Sequence, residues 1–72
     1  MKHLYFQHSN GEYTLIGKNV GLWSDDYIWA WIFSDLRRRN PEFVVHDSCD
    51  YYGIDGKRRF EVGSKTEQYV IF

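Results

Sequence analysis

The chain has 72 residues, with nine Lys and Arg against ten Asp and Glu, and its formal charge of −1 gives no overall attraction to nucleic acid or anionic lipid. The single cysteine, Cys49, excludes an intrachain disulfide. The longest strongly apolar run, residues 27–33, is far shorter than the roughly 20 residues of a membrane-spanning helix. We therefore expect one cytoplasmic domain over residues 1–72, with its core built from three Trp, six Tyr and five Phe residues.

Two short β-favouring runs, residues 2–8 and 12–17, flank Asn10-Gly11, which is a strong hairpin signal. A two-residue type I′ turn would place both Asn10 and Gly11 at positive φ and Phe6 opposite Leu15. In that register the predicted core face of the hairpin carries Leu4, Phe6, Tyr13 and Leu15.

An amphipathic helix is predicted to begin after Ser24, an N-cap residue followed by two acidic residues. Three arginines at residues 37–39 suit the last turn, and Pro41 ends the helix. At 100° per residue, one arc of apolar side chains would face the sheet: Ile28, Trp29, Ile32, Phe33 and Leu36.

The second half of the chain reads as strands. Residues 42–52 alternate, and the odd positions Phe43, Val45, Cys49 and Tyr51 form the predicted core side. Asp55-Gly56 predicts a second two-residue turn that pairs Tyr51 with Phe60. Residues 67–72 are apolar on both faces, which indicates either a central strand or a strand covered by a partner.

The predicted element order is therefore ββαβββ. This order indicates an α+β fold in which a single amphipathic helix packs on a mainly antiparallel sheet of four or five strands.

Candidate metal ligands or catalytic groups are few: His3, His8, His46 and Cys49. In extended chain His46 and Cys49 point to opposite faces, because an odd number of positions separates them, and zinc needs about four converging ligands. The sequence also lacks a glycine-rich phosphate loop and a nucleophile elbow. We expect no metal, no cofactor and no catalytic residue, so the chain is not predicted to be an enzyme.

Aromatic residues lie off the core arc of the predicted helix. Tyr27 and Trp31 are one turn apart on the side that carries Arg38, and Trp23 just precedes the helix. Tyr, Trp and Arg are enriched at binding hot spots. The alternative is an enlarged core, in which the sheet or Trp23 covers Trp31.

The leading interpretation is a small protein-binding module that forms a homodimer and is of the kind that inhibits or adapts a larger protein. Its predicted interface is either the helix side or the apolar last strand, and the candidate residues are Tyr27, Trp31, Arg38, Trp23, Tyr69 and Ile71.

Two basic triplets support a second hypothesis, nucleic-acid binding. They are Arg37-Arg38-Arg39 and Lys57-Arg58-Arg59, and both are interleaved with aromatic residues. The structural alternative assigns the first triplet to the negative end of the helix dipole and the second to the protection of an edge strand.

Overall fold

The computed structural model describes residues 1–42, 47–63 and 67–72, and these ranges contain one α-helix and five strands. In chain order they are β1 (Leu4–Gln7), β2 (Tyr13–Gly17), α1 (Asp25–Arg39), β3 (Cys49–Tyr52), β4 (Arg58–Glu61) and β5 (Gln68–Ile71). A 3-10 turn, Val20–Leu22, precedes α1. The order ββαβββ and the α+β class are confirmed. The predicted core positions Phe43 and Val45, and His46, lie outside the described residues.

The five strands form one sheet in the order β2-β1-β5-β4-β3, with every neighbouring pair antiparallel. The last strand, β5, lies at the centre, and all four of its residues are buried. This confirms the first of the two alternatives for residues 67–72. The edges of the described sheet are β2 and β3.

The first hairpin loop contains three residues rather than the predicted two. The Gly11 amide donates to the His8 carbonyl (2.9 Å), and the His8 amide donates to the Glu12 carbonyl (2.8 Å). Gly11 has a φ of 90°, whereas Asn10 does not have a positive φ. The geometry is that of a type I turn followed by a glycine in the left-handed region.

The second hairpin loop repeats this arrangement. The Gly56 amide donates to the Gly53 carbonyl and the Gly53 amide to the Lys57 carbonyl, both at 2.9 Å, and Gly56 has a φ of 79°. Asp55 Oδ1 accepts from the Lys57 amide at 3.1 Å.

The two loops favour this geometry for the same reason. Asn10 Oδ1 accepts from the Glu12 amide at 3.0 Å, as Asp55 does in the second loop. The three-residue loop confines positive φ to the glycine and lets the preceding Asn or Asp bond the backbone two residues ahead. A type I′ turn would instead require positive φ at both residues.

The longer loops shift both predicted registers by one residue. Phe6 lies opposite Thr14 rather than Leu15, and Tyr51 lies opposite Arg59 rather than Phe60. A shift of one residue moves side chains to the other face of the sheet. The predicted core faces are therefore wrong in part: Leu4 and Phe6 are buried, but Tyr13 and Leu15 are 40% and 43% exposed, Tyr51 is half-buried, and Cys49 is exposed.

Helix α1 follows the predicted pattern. Ser24 Oγ accepts from the Tyr27 amide at 3.2 Å, and the helix ends at Arg39. The centre of the arc is buried, and Trp29 and Phe33 pack at its border. The helix and sheet share one buried cluster, which includes Leu4, Phe6, Val20, Ile28, Ile32, Leu36, Phe60, Val62, Tyr69 and Ile71.

One buried charge, Asp35, lies within the apolar arc and was not predicted. Its Oδ2 accepts from Tyr69 Oη and from Arg39 Nε, both at 2.6 Å, and its Oδ1 accepts from Arg38 at 2.5 Å. Burial raises the pKa of Asp35, but the three donors outweigh it and hold the pKa below its ordinary value. Burial and the bond to Asp35 raise the pKa of Tyr69, which therefore remains a donor.

The first prediction tests the left-handed position in the first loop. Gly11→Ala should lower the free energy of unfolding by about 1–2 kcal/mol, because a side chain at positive φ is strained although nothing lies within 4 Å of the added methyl group. Gly21→Ala is the matched control, since its site is equally open and its φ is not positive. Equal effects of the two variants in urea unfolding would contradict the loop geometry.

The second prediction concerns pH. Because the folded-state pKa of Asp35 is depressed, its ionised form adds stability above the unfolded pKa of about 3.9, and this is lost as the pH falls through the folded value. Asp35→Asn should cost about 2–4 kcal/mol at pH 7 and progressively less in acid. Urea unfolding at pH 7, 5 and 3 measures this, with the exposed Glu42→Gln as control. A pH-independent difference would show that ionised Asp35 contributes nothing.

Candidate protein-binding surface

Three aromatic side chains, Trp23, Tyr27 and Trp31, contact one another beside α1, and we call them the aromatic ridge. Ring centroids are 4.7 Å apart for Trp23 and Tyr27, 5.1 Å for Trp23 and Trp31, and 6.2 Å for Tyr27 and Trp31. Edge and tilted contacts at these distances are favourable. The ridge is therefore a single packed unit.

The chain positions the ridge from two elements. Tyr27 and Trp31 are one turn apart on α1, and Trp23 reaches them from the extended residue after the 3-10 turn. Gly17 at the end of β2 makes room for Trp23, because a Cβ at Gly17 would lie 2.8 Å from the indole ring. The local sequence thus specifies the close approach of Trp23 to β2.

The ridge is only partly covered. Tyr27 is 49% exposed and Trp31 is 37% exposed, although Trp23 packs against both. The enlarged-core alternative thus holds in part, since Trp23 shields part of the Trp31 indole and solvent reaches the rest. Large exposed aromatic surface of this kind is typical of contact sites.

A depression of about 190 Å³ lies between α1 and β2 and continues the ridge. We call it the α1–β2 depression. Arg38, whose side chain is 72% exposed, stands at its border and bonds Asp35. The lining residues are Leu15, Ile16, Trp31, Ser34, Asp35 and Arg38. The sequence does not predict Leu15 as a surface residue, because the predicted register places it in the core.

The structure does not bring the whole predicted interface together. Trp23, Tyr27, Trp31 and Arg38 lie along one side of α1, whereas Tyr69 and Ile71 are buried. These two residues belong to the central strand on the face beneath α1, where Tyr69 bonds Asp35. We therefore leave Tyr69 and Ile71 out of the candidate surface.

The second basic triplet is divided between the two faces of the sheet, as alternation in a strand requires. Arg58 bonds Asp50 and also Asp25, the latter at 3.0 Å, and the bond to Asp50 raises the pKa of Arg58 above its ordinary value. On the other face Arg59 bonds Asp55 at 2.7 Å.

Other basic residues also have partners within the chain. Arg38 and Arg39 both bond Asp35, and Lys57 Nζ lies 4.1 Å from the centroid of the Phe72 ring. Five of the six arginines and lysines of the two triplets thus have an acidic or aromatic partner, which reduces the free positive charge available to a phosphate backbone.

The sheet face away from α1 carries a network of polar side chains. Arg59 donates to Gln7 Oε1 at 2.9 Å, and Gln68 donates to Tyr51 Oη at 3.1 Å and to Glu61 at 3.0 Å. Beside this network Tyr5, Tyr13 and Phe72 form an aromatic group, with Tyr5 stacked on Phe72 at 4.5 Å. Because its polar groups satisfy one another, this face is a weaker candidate than the ridge.

The histidines described by the structure have local roles. His3 Nδ1 accepts from the Asn19 amide at 3.0 Å, and His8 Nε2 lies 2.6 Å from Thr14 Oγ1. Within residues 1–42, 47–63 and 67–72, no group of three His, Cys, Asp or Glu side chains could hold a metal ion. His46 lies outside those ranges.

Cys49 is an exposed thiol on β3, and its Sγ donates to Glu61 Oε2 at 3.6 Å. Desolvation and the negative charge of Glu61 raise the pKa of Cys49 above its ordinary value. The thiolate, which is the reactive form, is therefore disfavoured.

Comparison with protein-family models, with curated proteins and with solved structures gives no match for this chain. In the part of the chain that the structure describes, α1 is too short and too polar to cross a lipid bilayer.

The third prediction compares neighbours on α1. Ile32→Ala should lower the free energy of unfolding by about 2–5 kcal/mol, because Ile32 is fully buried. Trp31→Ala should cost clearly less, since part of the indole already contacts water. Urea unfolding at protein concentrations too low for self-association gives the comparison. The reverse ranking would assign Trp31 to the core.

Proposed function

We propose that this chain is a small, non-catalytic protein-binding module that self-associates through the aromatic ridge and the adjoining α1–β2 depression. The observation that carries the proposal is the ridge itself. Two exposed aromatic side chains, Tyr27 and Trp31, lie on a helix capped by Ser24. Trp23, which precedes the helix, packs against both of them.

Rigidity makes these side chains suitable anchors. Tyr and Trp present large contact areas at a small loss of conformational entropy, and ring contacts within the ridge lower that loss further. Arg38 adds a charged group at the rim, where its bond to Asp35 restrains the guanidinium. An apolar centre with a polar rim is the usual composition of an interface.

A second copy of the chain is the partner that needs the fewest assumptions, because most oligomers of soluble proteins are symmetric and made of identical chains. Inhibition or adaptation of a larger protein would use the same ridge. A role in nucleic-acid binding has less support, since five of the six basic residues that it requires are bonded to acids or packed on aromatic rings.

The fourth prediction tests the proposed contact. Trp31→Ala should weaken self-association by about 2 kcal/mol, or roughly 30-fold in Kd, because truncation of a central aromatic anchor has an effect of this size. Light scattering and sedimentation equilibrium over a range of concentrations measure the Kd. The control is Ile54→Ala, which removes an exposed apolar side chain from the tip of the second hairpin.

Two results would oppose the proposal. One is an unchanged Kd for Trp31→Ala, which would remove the ridge from the interface. The other is tight binding of a labelled single-stranded or duplex oligonucleotide that weakens steeply with salt, measured by fluorescence polarisation, which would favour the nucleic-acid alternative.

A further inference from the structure

The open edge of β2 has backbone groups with no strand beside them in the described sheet. Their direction follows from the hydrogen bonds of β1. His3 and Phe72 exchange both backbone bonds, at 2.9 and 3.1 Å. Bonded pairs alternate along an antiparallel ladder. The backbone groups of Tyr5 and Gln7 on β1 therefore point toward β5, and those of Leu4 and Phe6 point toward β2.

This alternation fixes the direction of the groups on β2. Thr14 lies opposite Phe6 and bonds β1, so the N–H and C=O groups of its neighbours Tyr13 and Leu15 point to the open edge. The pairing with β1 is irregular between Leu4 and Tyr5, and this leaves Ile16 without a partner on β1. The regular segment available for pairing is therefore Tyr13–Leu15.

Proteins often protect an edge strand with charged side chains or proline. No Lys, Arg, Asp, Glu or Pro occurs in Tyr13–Gly17. The opposite edge strand, β3, carries Asp50, which is ion-paired with Arg58. A chain with one unprotected edge and one protected edge forms a closed pair, whereas two unprotected edges would lead to open-ended assembly.

We propose that β2 pairs with β2 of a second copy of this chain, antiparallel and about a two-fold axis at Thr14, so that the two sheets become continuous. This inference rests on the proposed self-association and specifies its geometry. In this register Tyr13 lies opposite the partner's Leu15, and the outward groups of both residues make four backbone hydrogen bonds.

The side chains are compatible with this register. Thr14 meets the partner's Thr14 in a pair that is not hydrogen-bonded through the backbone, where side chains approach most closely and Thr pairs are favourable. Tyr13 packs beside the partner's Leu15 as an aromatic and aliphatic pair. Both side chains are exposed in the single chain. No like charges are brought together within Tyr13–Leu15.

Strand pairing and the ridge belong to one surface. A two-fold axis perpendicular to the sheet places both helices on the same face, so the α1–β2 depressions of the two copies adjoin at the seam. Trp31, Ser34 and Arg38 line that depression beside Leu15. Three residues of strand alone bury much less than the roughly 1,000 Å² of a stable interface, and the two ridges supply the remaining contact area.

The fifth prediction is a symmetric disulfide. Thr14→Cys in a Cys49→Ser background should become a covalent dimer on mild oxidation, because Cα atoms in a non-hydrogen-bonded antiparallel pair are about 4.5 Å apart, within disulfide range. Non-reducing electrophoresis measures the yield. Lys18→Cys in the same background is the matched control, since it lies just beyond β2 and away from the proposed axis. We expect at least a roughly fivefold higher yield for Thr14→Cys.

A second pair of variants tests the backbone bonds. Leu15→Pro removes an outward N–H that makes no bond within the sheet, so it should weaken dimerisation at least about tenfold while the monomer remains folded by circular dichroism. Leu15→Ala shortens the same side chain and keeps the N–H, and it should weaken dimerisation less. Equal Kd values for the two variants would overturn the pairing.

The outcomes separate this inference from the proposed function. If the chain dimerises and is sensitive to Trp31→Ala, but Thr14→Cys crosslinks no better than Lys18→Cys, strand pairing is wrong and the ridge contact stands. If the chain is monomeric at millimolar concentration, both strand pairing and self-association are wrong. If crosslinking and the Leu15→Pro effect occur together, the geometry is supported.

Discussion

The arrangement of the molecule depends on one buried carboxylate, Asp35, and the hydroxyl of Tyr69 that bonds it. An apolar arc on a helix could pack on a sheet in several rotations at similar hydrophobic gain, since the hydrophobic effect has no direction. A buried charge allows only rotations in which it meets its hydrogen-bond partner, because leaving it unpaired costs several kcal/mol. The bond from Tyr69 at the centre of the sheet to Asp35 on α1 therefore fixes the rotation of the helix.

Everything on the exposed side of α1 follows from that rotation. With Asp35 held over the central strand, Ile28 and Ile32 point into the core, and Trp31 is turned toward β2. Arg38 and Arg39 then converge on Asp35 from the last turn of the helix, and the guanidinium of Arg39 lies 4.1 Å over the ring of Phe6. The basic end of the helix thus completes the core contact as well as complementing the helix dipole.

Much of the helix and the element order could be predicted from the sequence, because caps, terminal charges and a 3.6-residue period are local signals. The sheet order could not, since it depends on placing the last strand between the first and the fourth. The register failed for a local reason: Asn10-Gly11 and Asp55-Gly56 suit two loop lengths, and only the longer one keeps Asn and Asp out of the left-handed region.

Two further misses had signals that could have been used. Asp35 lies seven positions after Ile28, within about 20° of it on a helical wheel, so it belonged to the buried arc. Tyr69 in an apolar central strand needed a hydrogen-bond partner for its hydroxyl. Together, a buried acid on the helix and a buried phenol on the sheet pointed to each other. The ion pairs of Arg58 were harder to predict, because Asp50 and Asp25 are distant from Arg58 in the sequence.

The loop length that overturned the predicted core face also determines the candidate surface. In a two-residue turn Leu15 would pair with Phe6 and lie on the sheet face beneath α1. In the observed register Leu15 lies opposite Tyr5, is 43% exposed and lines the α1–β2 depression. Gly11 therefore influences the surface proposed for binding through the strand that it positions, although it lies outside that surface. Gly11 thus sets the strand side of the contact region, and Asp35 sets the helix side.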